Sequence, residues 1–196
     1  MNKHFPIKGL VLTGLIAALY VVFTLPFGQI AFGPIQFRVA EILTLLPFFT
    51  PWAIPGVTVG CLLSNLLFST LWDALFGTLA TLIAAYLTYK SKHLLMAPLW
   101  PILFNGLIIG TMLTFMILGH FEWGGWLTMV LEVAASEFVI CFAVGVPFMR
   151  MIRHYKLEKY LNLQKKNSPR GVLFIYLSSQ IRLYARKMGS FPSWII

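Results

Sequence analysis

Charged residues are scarce in this chain. Asp, Glu, Lys and Arg make up 11% of its 196 residues, against about 25% in an ordinary soluble domain. That excludes a water-exposed globular surface, and hydrophobic residues reach 59%. Cysteine is nearly absent. Cys61 and Cys141 each lie within an apolar run, which argues against a disulfide framework, and neither has His or Cys neighbours at metal-ligand spacing. The four histidines, His4, His93, His120 and His154, fall in loops or tails and supply no metal ligand or general base to the apolar runs. The phosphate-cradling pattern GxxxxGK[ST] is missing, as are HExxH and GxSxG. The sequence therefore predicts no catalytic constellation, no metal and no cofactor. Nor does the net charge of +9 mark a nucleic-acid surface, because Arg38, Lys90 and Lys92 are the only basic residues between Gly9 and Met149.

What is present is a series of apolar runs of membrane length. A spanning helix needs about 17–25 residues at ~1.5 Å rise. Gly9 to Phe27 is the first, and with no small-residue cleavage site behind it, it reads as a retained span rather than a signal peptide. Gly28 to Ile35 reads as a loop. A short second span runs from Gln36 to Pro47–Pro51, tilted or broken at Pro47. The third runs from Ala53 to about Leu71, and the fourth leaves a turn at Trp72 and Asp73 and ends near Tyr89. The fifth covers Pro98 to Leu118 and the sixth Trp126 to Met149. The expectation is an all-α membrane protein of six transmembrane helices in a compact bundle. It would form one domain over residues 1–162, with residues 163–196 as a C-terminal tail of no assigned structure. The N-terminal lysines, Lys90, Lys92 and the cluster from Arg150 to Lys166 fall on one side of that bundle. The positive-inside rule then puts both termini in the cytoplasm.

The polar residues inside these runs carry the functional signal. Ionisable groups in a lipid-embedded span are costly and mark functional sites by default. Arg38 and Glu41 stand three apart, a spacing that places them on one helical face within pairing distance. Snorkelling to the headgroups would explain Arg38 but not Glu41. Asn65, Asp73, Asn105, Glu132 and Glu137 follow. In the predicted orientation Arg38, Glu41 and Asp73 lie near the outer face, with Glu132 ~9 Å and Glu137 ~16 Å below the start of the sixth span. An outward-facing pocket lined by carboxylates, Arg38, one or two amides and the aromatics Tyr20, Trp72 and Trp126 accounts for this pattern. Glu132 points about 140° away from Glu137 and reads as a rim residue or a partner of Arg38. So small a bundle has no inverted repeat of the kind secondary transporters use. It reads as a binding protein that needs help to translocate anything.

The stretches Gly14–Tyr20 (GLIAALY), Ile35–Glu41 (IQFRVAE), Ile54–Gly60 (IPGVTVG) with Asn65, and Asp73–Ala80 (DALFGTLA) resemble the QueT family. Asn105–Gly110 and Ser136-Glu137 continue the likeness, which covers about Leu10 to Asn162. That family comprises substrate-binding S components of energy-coupling factor (ECF) transporters. The resemblance implies a membrane-embedded subunit that captures a queuosine precursor, a 7-deazaguanine, and docks on a transmembrane T protein driven by two ATPase subunits. The family's Ala-x-x-x-Ala docking surface would be Gly14-x-x-x-Ala18 here, a small-xxx-small pair that lets a helix approach closely. For such a ligand Glu137 is expected to accept two adjacent N–H donors, a charge-assisted bidentate bond. Asn65 or Asn105 would serve the ring carbonyl, Arg38 and Glu41 would close the site, and Glu41 or Asp73 would take an aminomethyl cation. Trp72 or Trp126 would stack on the ring.

Three rival readings differ in kind. An S component for another small planar vitamin would keep the bundle and change the pocket. An intramembrane enzyme would use Glu137 and Glu41 as acid and base, and would turn a substrate over without an ATPase. A ligand-free assembly subunit would do neither, and has no use for buried carboxylates.

Overall fold

A computed structural model describes residues 7–27 and 37–161, and its helices follow the apolar runs. Helix α1 is Ile7–Thr24, extended by one 3-10 turn, Leu25–Phe27. Helix α2, Val39–Phe48, is wound as a 3-10 helix, and α3 is Ala53–Phe68. Helix α4 opens with a π-helical turn, Asp73–Gly77, and continues as Thr78–Lys90. A 3-10 turn, Leu94–Met96, leads into α5, Leu99–Leu118. Helix α6 runs from Trp123–Phe138 through a π-helical stretch, Val139–Gly145, to Val146–His154. A short helix α7, Glu158–Leu161, ends the described residues. These residues contain no strand. The expected loop at 28–35 and the tail at 163–196 lie outside them.

The exterior is apolar and the interior carries the charge. Leu71 is 79% exposed, and Leu10, Leu62, Leu67, Leu103 and Leu131 also face outward, while Arg38, Glu41, Asp73 and Glu137 are buried. This inverts the arrangement of a soluble domain and suits a lipid surround. Among the described residues, three helical stretches are long and apolar enough to cross a membrane: Ile7–Thr24, Leu94–Leu118 and Trp123–His154. Helix α2 has only ten residues. At ~2.0 Å rise it extends about 20 Å, less than the ~30 Å hydrocarbon core. It is an inner element rather than a lipid-facing one. Ala40, Glu41, Leu43, Thr44, Leu45, Leu46 and Pro47 are all buried, and it packs on α1, α3, α4 and α6. Pro47 cannot donate a backbone hydrogen bond.

Two helix pairs are brought together by glycine. A Cβ on Gly56 would lie 2.9 Å from Ile16 Cβ, and one on Gly60 would lie 2.6 Å from Tyr20 Cβ. Helix α3 therefore approaches α1 along the face that buries Ile16, Ala17 and Tyr20. In the same way Gly106 and Gly110 seat α5 against Val130 and Ala134 of α6. Gly119 ends α5 at φ +72°, the left-handed conformation that favours glycine, with its N–H on Phe115 O at 3.1 Å. These contacts set the height at which polar residues of different helices meet.

Candidate binding site

Local geometry at the head of α4 fixes the first part of the site. The Thr70 hydroxyl accepts the Asp73 N–H at 3.2 Å, as an N-cap side chain does, and donates to Asp73 Oδ2 at 3.0 Å. Ser69 Oγ donates to the same oxygen at 2.5 Å. The other oxygen, Oδ1, meets Arg38 Nη2 at 3.4 Å in a buried ion pair. The Asn65 amide nitrogen donates to the Asp73 carbonyl at 2.8 Å and to Cys61 Sγ at 3.3 Å. Gly77 leaves room for both groups, since a Cβ there would stand 3.0 Å from Asn65 Nδ2 and 3.4 Å from Arg38 Nη1.

The second part joins α1, α2, α5 and α6. Tyr20 OH donates to Glu41 Oε1 at 2.6 Å. Asn105 Nδ2 donates to Glu137 Oε1 at 2.7 Å, and the Cys141 thiol reaches Glu137 Oε2 at 3.5 Å. The same thiol lies 4.0 Å from the Glu41 carbonyl, so Glu41 and Glu137 are neighbours across α2 and α6. Cys61 connects the two parts. It accepts from Asn65 and from Thr81 Oγ1, each at 3.3 Å, and it lies beside Tyr20. The charge of Arg38 acts on both carboxylates. The π-helical stretches of α4 and α6 both adjoin this cluster. Such bulges are frequent at functional sites.

Six of the seven expected ligand-site residues, Arg38, Glu41, Asn65, Asp73, Asn105 and Glu137, are buried and share this network. Trp72 does not. It is 56% exposed and stacks on Phe76 at 5.9 Å, on an apolar groove of about 830 Å³ that Leu107, Thr111 and Phe115 also line. One residue turns a helix by about 100°, so burying Asp73 sends its neighbour outward. Trp126 is held elsewhere as well. Its indole donates to Thr111 Oγ1 at 2.9 Å, and it packs edge-on against Trp123. Glu132 is half-buried.

One pairing differs from the sequence expectation. Arg38 precedes α2 in an extended conformation (φ −106°, ψ 99°), so helical spacing from Glu41 does not apply; it forms an ion pair with Asp73, and its charge also acts on Glu41. Glu137 Oε1 accepts from Asn105 and Oε2 meets the Cys141 thiol, and each oxygen keeps a second lone pair. The sequence reading missed the Tyr20 hydroxyl, Thr81 and the two thiols as members of the network. The signal for Tyr20 was its place on the face with Ile16, Ala17 and Thr24, where a buried phenol requires a partner. Among the described residues, no group of three or more His, Cys, Asp or Glu is placed to hold a metal ion.

The family model described as QueT transporter matches residues 10–154. A curated relative, the queuosine precursor transporter QueT of Lactococcus lactis subsp. cremoris (strain MG1363), is 45% identical over 76 residues. That stretch covers 38% of this chain and 45% of the relative, so the match spans less than half of that protein's length. No solved structure matches the chain.

Proposed function

The chain belongs to the QueT transporter family, and on that footing we propose that it is the substrate-binding S component of an ECF-type importer, taking up a queuosine precursor of the 7-deazaguanine class. It is a multi-pass cell-membrane protein of a transporter family, which is a binding and carrying role rather than an enzymatic one. In this reading the bundle crosses the membrane six times, with α2 as its short buried member. Both termini lie on the cytoplasmic side with Lys90, Lys92, Arg150 and Arg153.

The observation that carries the proposal is the burial of Glu41, Glu137, Asn65 and Asn105 inside a shell of outward-facing leucines. A membrane scaffold has no need of such groups, whose desolvation is costly. A deazaguanine brings several N–H donors and an acceptor carbonyl into the same space. Arg38 and Asp73 form the wall on the α4 side. Tyr20 supplies the ring nearest to the carboxylates, in place of Trp72 and Trp126.

In this reading the subunit captures the substrate, and a T protein and two ATPases energise its passage. Gly14 and Ala18 support that partnership. Both are exposed on the face of α1 opposite Ile16, and a Cβ on Gly14 would meet nothing within 4 Å. Calorimetric titration of the detergent-purified protein with 7-aminomethyl-7-deazaguanine, with guanine and riboflavin as controls, tests the proposal. Tight and selective binding is expected. A folded protein that binds none of the three would return the substrate to unknown and overturn the reading.

A further inference from the structure

Two basic stretches of the chain meet at one end of the bundle. Helix α4 ends at Lys90, and Ser91-Lys92-His93 leads into the turn Leu94–Met96. The last turns of α6, Val146–His154, pack on that same turn. Met149 and Ile152 are buried there, which leaves Arg150 and Arg153 exposed, followed by Lys156 and Lys159. Six exposed Lys and Arg side chains thus gather at this end, and Glu158 is the one acidic residue in the two stretches. None of the six forms an ion pair among the described residues.

These cations stand on fixed backbone. Trp100 Nε1 donates to Ser91 Oγ at 2.7 Å, and Ser91 Oγ donates to the Leu87 carbonyl at 3.1 Å, which ties down the turn between Lys90 and Lys92. Lys90 Nζ lies 5.4 Å from the centre of the Tyr86 ring, and the Arg153 guanidinium lies 5.4 Å from that of Phe48. Both are cation–π distances. Helix α6 closes with the Lys156 N–H on Arg153 O at 3.0 Å and the Leu157 N–H on Ile152 O at 2.9 Å, the Schellman arrangement. Its left-handed position, at φ +54°, is filled by Lys156, where glycine would carry no steric cost. A lysine at a position that favours glycine points to a use for its charge.

Apolar side chains are interleaved with the cations. Tyr89, Leu95, Met151, Tyr155 and Leu157 are all exposed. A soluble anion would engage the cations and leave these groups in water. A phospholipid covers both, with its phosphate on the cations and its glycerol and acyl chains on the apolar groups. Tyrosine is enriched at the membrane–water interface. In the orientation proposed above this end faces the cytoplasmic leaflet, whose anionic lipids attract clusters of Lys and Arg beside a span. We propose that this end of the bundle is a binding surface for anionic phospholipid, with the lipid phosphate held by Lys90, Lys92, Arg150, Arg153 and Lys156. The inference goes beyond the functional reading and stands whatever the substrate is.

The test follows the unfolding midpoint of the full-length protein in dodecyl maltoside as phosphatidylglycerol, phosphatidylcholine or inorganic phosphate is added. A ligand that binds only the folded state raises the midpoint. Phosphatidylglycerol should do so, less at high salt, and the other two should not. Arg150→Gln should weaken phosphatidylglycerol binding about fivefold, the scale of one charge at an anionic surface. The combined variant Lys90→Gln, Lys92→Gln, Arg150→Gln and Arg153→Gln should lose the rise. Lys156→Gly removes a charge and relieves the backbone, so it should weaken the lipid response without lowering the lipid-free midpoint, a pair of effects that a merely structural lysine would not produce. Lys165→Gln with Lys166→Gln, outside the described residues, should retain the rise. If the combined variant does not fold, Arg150→Gln and Lys156→Gly decide the matter. Equal rises with phosphatidylglycerol and phosphatidylcholine, or with phosphate, overturn the inference. So does a rise that survives the combined substitution or that vanishes with Lys165 and Lys166. A combined variant that keeps the full lipid response but no longer co-purifies with T protein and ATPase subunits would assign this end to a protein partner instead. None of these outcomes bears on substrate capture, which the titration above tests separately.

Discussion

The Asn105 amide donates to Glu137 Oε1 at 2.7 Å, and the two residues are 0% and 2% exposed. They come from α5 and α6, which Gly106 and Gly110 bring close enough for the contact. The bond therefore depends on helix docking, and the docking is secured in part by the bond. Asn105→Leu removes the donor and leaves a buried carboxylate oxygen unsatisfied. A loss of about 1–3 kcal/mol is expected, read as a lower unfolding midpoint in detergent. An unchanged midpoint would mean that the contact contributes nothing to the fold.

That pair also shows what was legible in the sequence. A carboxylate or an amide inside an apolar run is conspicuous, because its burial costs free energy unless it is used. Glu41, Asn65, Asp73, Asn105 and Glu137 stand out on that rule alone, and all five are buried in one network. Their partners were not legible. Spacing predicts neighbours only within a helix, whereas Arg38 meets Asp73 from 35 positions away and Asn105 meets Glu137 from 32. The 3-10 winding of α2 and the π-helical turn at Asp73 likewise depend on what packs around them. Asp73 enters the site while Trp72 leaves it because adjacent helical residues point about 100° apart. The sequence sets the Cys61 and Cys141 thiols within apolar runs, and their role as connectors follows from which helices α3 and α6 face.

The Arg38–Asp73 pair is buried on both sides, so its two charges act on each other with little screening. Arg38→Met and Asp73→Asn should each destabilise the protein. The double substitution should cost less than the sum of the two, with a coupling of about 1–3 kcal/mol. The cycle is measured by unfolding in detergent at low and high salt, and the coupling should change little between them. Strict additivity would show that Asp73 is held by Ser69 and Thr70 alone.

Glycine at the helix crossings has a sharper consequence. A Cβ on Gly110 would stand 2.7 Å from Val130 Cα, a backbone atom that cannot swing aside. Gly110→Ala should force α5 from α6 at a cost of about 1–3 kcal/mol, and because Asn105 lies just over one turn away, it should weaken ligand binding as well. Unfolding midpoint and ligand affinity measured on one preparation should fall together. A stable variant with full affinity would contradict the close approach of these helices.

Gly14 is the opposite case, since a Cβ there meets nothing within 4 Å and its face of α1 packs on no helix among the described residues. Replacing it with leucine adds bulk only where a partner helix would lie. Gly14→Leu should leave the unfolding midpoint and ligand affinity of the isolated protein within error of wild type. Small-residue pairs permit close helix approach in lipid, so the same variant should lose most ligand uptake when co-expressed with the T protein and ATPase subunits. It should also co-purify with them poorly. Gly14→Ala, which restores the small-residue pattern, should retain uptake. Full uptake by Gly14→Leu would remove this face from the proposed docking surface and leave the proposed binding site untouched, because Gly14 is exposed and Tyr20 buried on α1.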